Sequence, residues 1–230
     1  MTMTMLVKRL GADIRGSVLV EATVMMTIIL VFVLGGIDFL FAFYQYNAAA
    51  KAVEMGARIA AVWDPVASGL NGLSNAAVTS GGYTAGGSMP AFQVTCNLNG
   101  NQSCTCDSGY CSGMTYSADA LAAIVCGREA TGAACAAGCP ASTSLYTTGM
   151  CQMYGGIQMA NVKVVYTQPG SGGLGYAGRP GGPVPTITVS VQNLPFKFYF
   201  LGGLLGFANI TMPGLTTSIT GEYMSSAAAS

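Results

Sequence analysis

The residues of this chain with the clearest chemical potential are two carboxylates, Glu21 and Asp38, set in a long apolar stretch, and eight cysteines that all follow it. An ionisable side chain at mid-bilayer costs on the order of 2.5 to 3.5 kcal/mol, so such residues are usually paired or functional. Glu21 and Asp38 are therefore candidate intramembrane polar residues. The cysteines are Cys96, Cys104, Cys106, Cys111, Cys126, Cys135, Cys139 and Cys151. An even number confined to one part of a chain reads as a disulfide framework in an oxidising compartment. A zinc site is the weaker reading, because the chain has no histidine and its Cys104-Thr105-Cys106 and Cys135 to Cys139 spacings do not match the usual fingers. Spacing alone leaves the pairing open.

Catalysis finds little support. Without histidine the common proton shuttle and the Ser/His/Asp arrangement are excluded. Asp107 and Asp119 read as isolated, solvated acids. The segment from Pro169 to Pro185 holds seven glycines and four prolines. A phosphate cradle would need a helix start and a lysine after it, so this segment reads as a mobile loop between strands. Charged residues make up 8% of the chain and the net charge is zero, which removes the basic footprint of a nucleic-acid binder. The chain is expected to be no enzyme and to need no cofactor or metal.

The element that must hold the two acids is a helix. Ala22 to Ile37 carries no charge, and apolar character resumes after Asp38 through Tyr44. A membrane span needs about 20 residues rising about 1.5 Å each. Upstream lie Lys8, Arg9 and Arg15, a basic flank that stays cytoplasmic by the positive-inside rule, so the part after Tyr46 is expected to be exported. An ordinary signal peptide has a shorter apolar core. No proline interrupts Ser17 to Val62, and Asp64-Pro65 supplies a stop. At about 100° per residue, Thr23, Thr27, Asp38 and Gln45 share a sector of roughly 60°. Ala49, Ala52, Gly56, Ala60 and Trp63 continue it as a small-residue face for helix packing. Asn47, Lys51, Glu54 and Arg58 gather on the other side, with Glu54 and Arg58 at i, i+4 spacing.

A basic leader, Gly16, a small Ser17 and then Glu21 ahead of an apolar helix resemble the processing signal of type IV pilin-like proteins. Gly16-Ser-Val-Leu-Val-Glu21-Ala, followed by the membrane segment and then Gln45 to Arg58 ending in Ala52-Val-Glu-Met-Gly-Ala-Arg58, resembles the TadE-like family of minor pseudopilins of tight-adherence pilus systems. The resemblance covers about a fifth of the chain. It implies a prepilin peptidase cut between Gly16 and Ser17, with Glu21 as the fifth mature residue neutralising the Ser17 amine of an adjacent subunit. It also implies insertion in a bacterial inner membrane, with other pilin-like subunits and the pilus assembly machinery as partners.

The remainder is expected to complete an α+β chain: a long N-terminal membrane-spanning helix followed by a disulfide-rich exported domain with a small, mainly antiparallel sheet. The divisions are a leader at 1–16, the TadE-like helical segment at 17–64, a Cys-rich region at 65–160 and a β-rich region at 161–230. Ser117 to Arg128 reads as a helix. Asn161 to Gln168 and Thr186 to Gln192 alternate as strands, and Phe196 to Phe200 and Leu215 to Met224 are weaker strand candidates. Assembly into a pilus is the leading functional expectation. The competing one is a single-pass anchored periplasmic binding or adhesion module with a ligand site in the Cys-rich part.

Overall fold

Val, Ile, Leu, Met, Ala and Phe dominate Val18 to Phe43 and no proline removes a backbone donor, so helix formation runs on without a break. The computed structural model describes residues 14–111, 113–142, 148–171, 173–205, 210–221 and 224. Its first element is a helix, α1, at Ile14–Val62. The helix ends where expected: Trp63 N still donates to Ile59 O at 2.9 Å, and Pro65 then disfavours helix at Asp64.

The elements after α1 are, in chain order, β1 (Ala67–Ser68), α2 (Leu73–Thr79), β2 (Phe92–Cys96), β3 (Cys104–Cys106), β4 (Thr115–Tyr116), α3 (Ala118–Cys126), α4 (Gly132–Ala137) and α5 (Met150–Met153). Then come β5 (Val162–Gln168), β6 (Thr186–Val191), α6 (Leu201–Leu205) and β7 (Leu215–Thr220). The chain forms two compact units, one of Met1–Tyr44 with Phe196–Ile210 and one of Gln45–Pro195 with Thr211–Ser230. Helix and sheet are mixed in one chain, the α+β class expected.

In the second unit the described strands make a five-stranded antiparallel sheet in the order β3-β2-β5-β6-β7, and β1 pairs separately with β4. Period-two alternation puts one face inside. Tyr166 stands opposite both Val94 and Ile187, and Val164 opposite Cys96 and Val189, and all of these are buried. Tyr166 accommodates its polar tip by accepting a hydrogen bond from Val66 N at 2.9 Å.

Four strands, β1 to β4, arise in the Cys-rich region where no sheet was expected, and β2 and β3 join the five-stranded sheet. Phe92, Val94 and Cys96 are buried and alternate with Gln93 and Thr95, so β2 places part of the Cys-rich stretch inside the sheet. The glycine-rich segment between β5 and β6 is also more ordered than expected. Tyr176 bridges Ser88, Ala177 is fully buried and bonds Gly86 and Gly87, and Gly178 N donates to Ser74 O at 2.8 Å. These backbone bonds turn it into a strap over α2, because a glycine at φ +78 follows the turn without steric cost.

Helix α3 starts as expected, with the Ser117 hydroxyl accepting from Ala120 N at 3.2 Å. Asp119, in the first turn of α3, is not the isolated acid expected: its carboxylate accepts from Gly132 N at 2.7 Å and so fixes the start of α4. Four disulfides tie this part together. Cys96–Cys104 joins directly opposed positions of β2 and β3, Cys106–Cys111 closes the next turn, Cys126–Cys135 links α3 to α4, and Cys139–Cys151 anchors α5.

In the first unit, the Phe196 to Phe200 run is not a strand. Its Phe-Lys-Phe-Tyr-Phe alternation imitates one, but the chain continues into the short α6. Phe196 N donates to Ile210 O at 2.9 Å, which closes the neck of a loop between β6 and β7. The terminal strand is shorter than the Leu215 to Met224 expected, ending at Thr220.

Candidate functional site

The three residues of the expected processing site lie on the first turns of α1, and Glu21 is exposed there. From Val18 to Tyr44 the helix presents large apolar side chains outward, Phe32 being 83% exposed. The polar residues within this stretch are satisfied locally: Thr23 Oγ1 donates to Val20 O and Thr27 Oγ1 to Thr23 O, each at 2.8 Å. Among the described residues this is the one helix long and apolar enough to cross a membrane, which is consistent with a single-pass membrane protein.

Asp38 behaves differently. It is 1% exposed. Its Oδ1 accepts from Tyr199 N at 3.1 Å, and its Oδ2 accepts from Phe200 N at 2.8 Å and Leu201 N at 2.6 Å. Three donors converging on one carboxylate offset much of the cost of taking it out of water, and they satisfy the exposed backbone that opens α6. Leu201 is buried beside Gly35, where an added Cβ would sit 3.6 Å from the leucine Cδ2. The Phe41 and Tyr199 rings meet edge to face with centroids 5.1 Å apart. Asp38 was expected to act within a polar stripe, and its actual partners, the backbone of Tyr199 to Leu201, carry no sequence signature beyond an apolar run.

On the part of α1 in the second unit, the face of Ala49, Ala52, Gly56 and Ala60 is buried. An added Cβ on Gly56 would lie 2.5 Å from Met150 Sδ and 2.8 Å from its Cγ, so any side chain here requires the fully buried Met150 to move. Gln45, also buried, accepts a hydrogen bond from the Tyr154 hydroxyl at 3.1 Å. Trp63 is half-buried with the Arg128 guanidinium 5.8 Å from its ring centroid. The small-residue face thus meets the Cys-rich region through Met150, Tyr154 and Arg128, none of which periodicity could single out. On the opposite side Glu54 pairs with Lys51 at 2.9 Å, an exposed i, i+3 bridge of little energetic weight, in place of the Arg58 partner expected.

All eight cysteines are engaged, in pairs of near neighbours along the chain. The Cys126 and Cys151 sulfurs, from different disulfides, are 3.8 Å apart. Gln152 braces the same place, donating to Cys126 O at 2.8 Å and Pro140 O at 3.0 Å while accepting from Gly149 N at 2.8 Å. Beside these bridges lies a cleft of about 580 Å³ lined by Ala, Gly and disulfide atoms with Gln102, Tyr116 and Gln158 at its edge. No charged side chain lines it, so it offers neither an acid/base pair nor a counter-charge for an ion. Among the described residues no group of three or more Cys, Asp or Glu is placed to hold a metal ion.

Residues 16–58 match the family model described as TadE-like protein. The match begins at Gly16 and ends at Arg58, taking in the apolar part of α1 and the first half of its small-residue face. No curated protein and no solved structure matches the chain.

Proposed function

We propose that this protein is a minor pilin-like subunit of a tight-adherence pilus, acting by being assembled and not by catalysis. The observation that carries the reading is the match of residues 16–58 to the TadE-like model, which takes in Gly16, Ser17, Glu21 and the whole apolar stretch. Pilus context and a membrane helix go together physically: exposed apolar side chains from Val18 to Tyr44 need lipid or neighbouring helices to cover them. In this reading a prepilin peptidase cuts between Gly16 and Ser17. The freed Ser17 amine of one subunit then meets Glu21 of the next, because two charges in an apolar medium are tolerated chiefly as a pair. Before that cut, Lys8, Arg9 and Arg15 hold the N-terminus on the cytoplasmic side of a bacterial inner membrane, and the disulfide-bonded part faces the oxidising side.

A binding or adhesion module anchored by the same helix is the second reading, and the uncharged cleft beside Cys126–Cys135 is the observation that favours it. Intact mass of the protein extracted from membranes separates the two. A mature chain beginning at Ser17, a leader retained in Gly16→Leu, and normal cleavage but lost incorporation into pili for Glu21→Gln are expected. A wild-type chain that keeps Met1 to Gly16 removes the pilin-like reading.

A further inference from the structure

We infer that the limb Phe196 to Leu201, which follows β6, is a second membrane-contacting element, seated in the interfacial layer of the bilayer beside α1. The inference rests on the reading that α1 spans a membrane, and not on the role in a pilus.

Depth comes first. From Val18 to Asp38 is about twenty residues, so α1 rises about 30 Å between them, the thickness of the hydrocarbon core. With Val18, the first described outward apolar side chain, placed at one edge of the core, Asp38 stands at the other edge. The loop limb is held at that level by its three backbone bonds to the Asp38 carboxylate.

Surface chemistry agrees with that depth. Tyr199 is 64% exposed, and Phe200 is also exposed, although both are large apolar residues on a limb whose backbone is fixed. They continue the outward apolar surface of α1, where Phe41 and Tyr44, on successive turns just beyond Asp38, pack edge to face, and Phe41 contacts Tyr199 in turn. Aromatic residues gathered in a ring at the boundary between hydrocarbon and headgroups are what an interfacial anchor requires, since their rings are apolar and the tyrosine tip is wet. Backbone at membrane depth is tolerated when its polar groups are satisfied by protein. Asp38 supplies that satisfaction for three of them, which explains why a carboxylate is kept where an apolar residue would insert more readily.

The occupant to which the geometry commits is lipid, because the exposed face of the limb is continuous with the exposed apolar face of α1. The test uses the full chain in phosphatidylcholine vesicles, in a Trp63→Phe background that removes the sole natural tryptophan. Tyr199→Trp and Phe200→Trp report on the limb, and Phe32→Trp on the helix. With lipid brominated near the carbonyl end of the acyl chain, tryptophan at 199 or 200 should lose about half or more of its fluorescence and resist aqueous iodide. The loss should be the same when lipid is raised tenfold over protein.

Quenching at 32 without quenching at 199 and 200, or ready quenching there by iodide, would overturn the inference while leaving the membrane helix standing. Quenching that appears only on tenfold dilution would mean that a second copy covers the limb, which also overturns it. If position 32 is not quenched either, the membrane reading of α1 fails and the inference falls with it. Asp38→Ala gives an independent reading: the 199 signal should shift toward iodide access while that at 32 stays unchanged.

Discussion

At the scale of single residues, Asp38 and Tyr110 show how placement decides chemistry. Asp38→Ala leaves three N–H groups without their acceptor, each costing about 1 to 3 kcal/mol if it stays buried. Amide exchange at Tyr199, Phe200 and Leu201 in lipid nanodiscs should rise at least tenfold in this variant, and unchanged exchange would mean that the carboxylate does not hold the loop. Tyr110 is nearly buried, with its hydroxyl 2.9 Å from Ala91 O and 3.1 Å from Pro90 O. Burial raises its pKa from the ordinary 10.0 to about 12. The folded state therefore holds this proton more tightly than the unfolded one. Its contribution to stability is complete below pH 10 and is lost as pH climbs through about 12. Thermal unfolding should shift downward across that window, less steeply in Tyr110→Phe, with phenolate absorbance showing the late titration.

Among elements, α1 and α5 make the most testable contact. Gly56 is where the helix surface dips, and any side chain there drives into Met150. Gly56→Leu should destabilise the second unit by about 1 to 3 kcal/mol, the usual cost of overpacking. Shortening the partner ought to relieve it, so Gly56→Leu with Met150→Ala should regain part of the loss in a urea titration. Equal losses in the single and double variants would place the strain elsewhere. The small-residue face was readable from spacing, whereas its partners were not: Met150 and Tyr154 lie about a hundred residues away in a stretch with little helical periodicity.

For the whole molecule, the disulfides reinforce a Cys-rich region that also has an apolar core, with Leu70, Leu73, Met89, Leu121, Ile124 and Met150 fully buried. Each disulfide closes a short loop, from a separation of 5 for Cys106–Cys111 to 12 for Cys139–Cys151. Chain entropy then ranks them, with replacement of the Cys139–Cys151 pair by alanine costing about 3 kcal/mol and that of Cys106–Cys111 about 2 kcal/mol. Alkylation of the native protein without reductant should modify none of the eight thiols, and non-reducing peptide mapping should recover the four neighbouring pairs. Full labelling with unchanged protease resistance would show that the bridges are not the framework.

What the sequence determined by itself was whatever depends on local pattern. The long apolar run with no proline specified α1 and its length, period-two alternation specified β5 and β6, Ser117 specified the start of α3, and the even cysteine count specified disulfides. Each of these is written within a few residues, where one periodicity or one residue type wins without help. Tertiary structure decided what local pattern leaves degenerate. Phe196 to Phe200 alternates as a strand would, but the N–H groups of Tyr199, Phe200 and the following Leu201 donate to Asp38, some 160 residues away, so the run becomes a loop entering α6. Phe92 to Cys96 had the right alternation hidden by a cysteine that serves both as strand and as bridge. The glycine-rich strap before Thr186 looked free because glycine has no side chain with which to announce a contact. The cysteine partners, Asp38's donors and the neighbour of Gly56 are pairings across the chain, and only the folded backbone brings their two halves together.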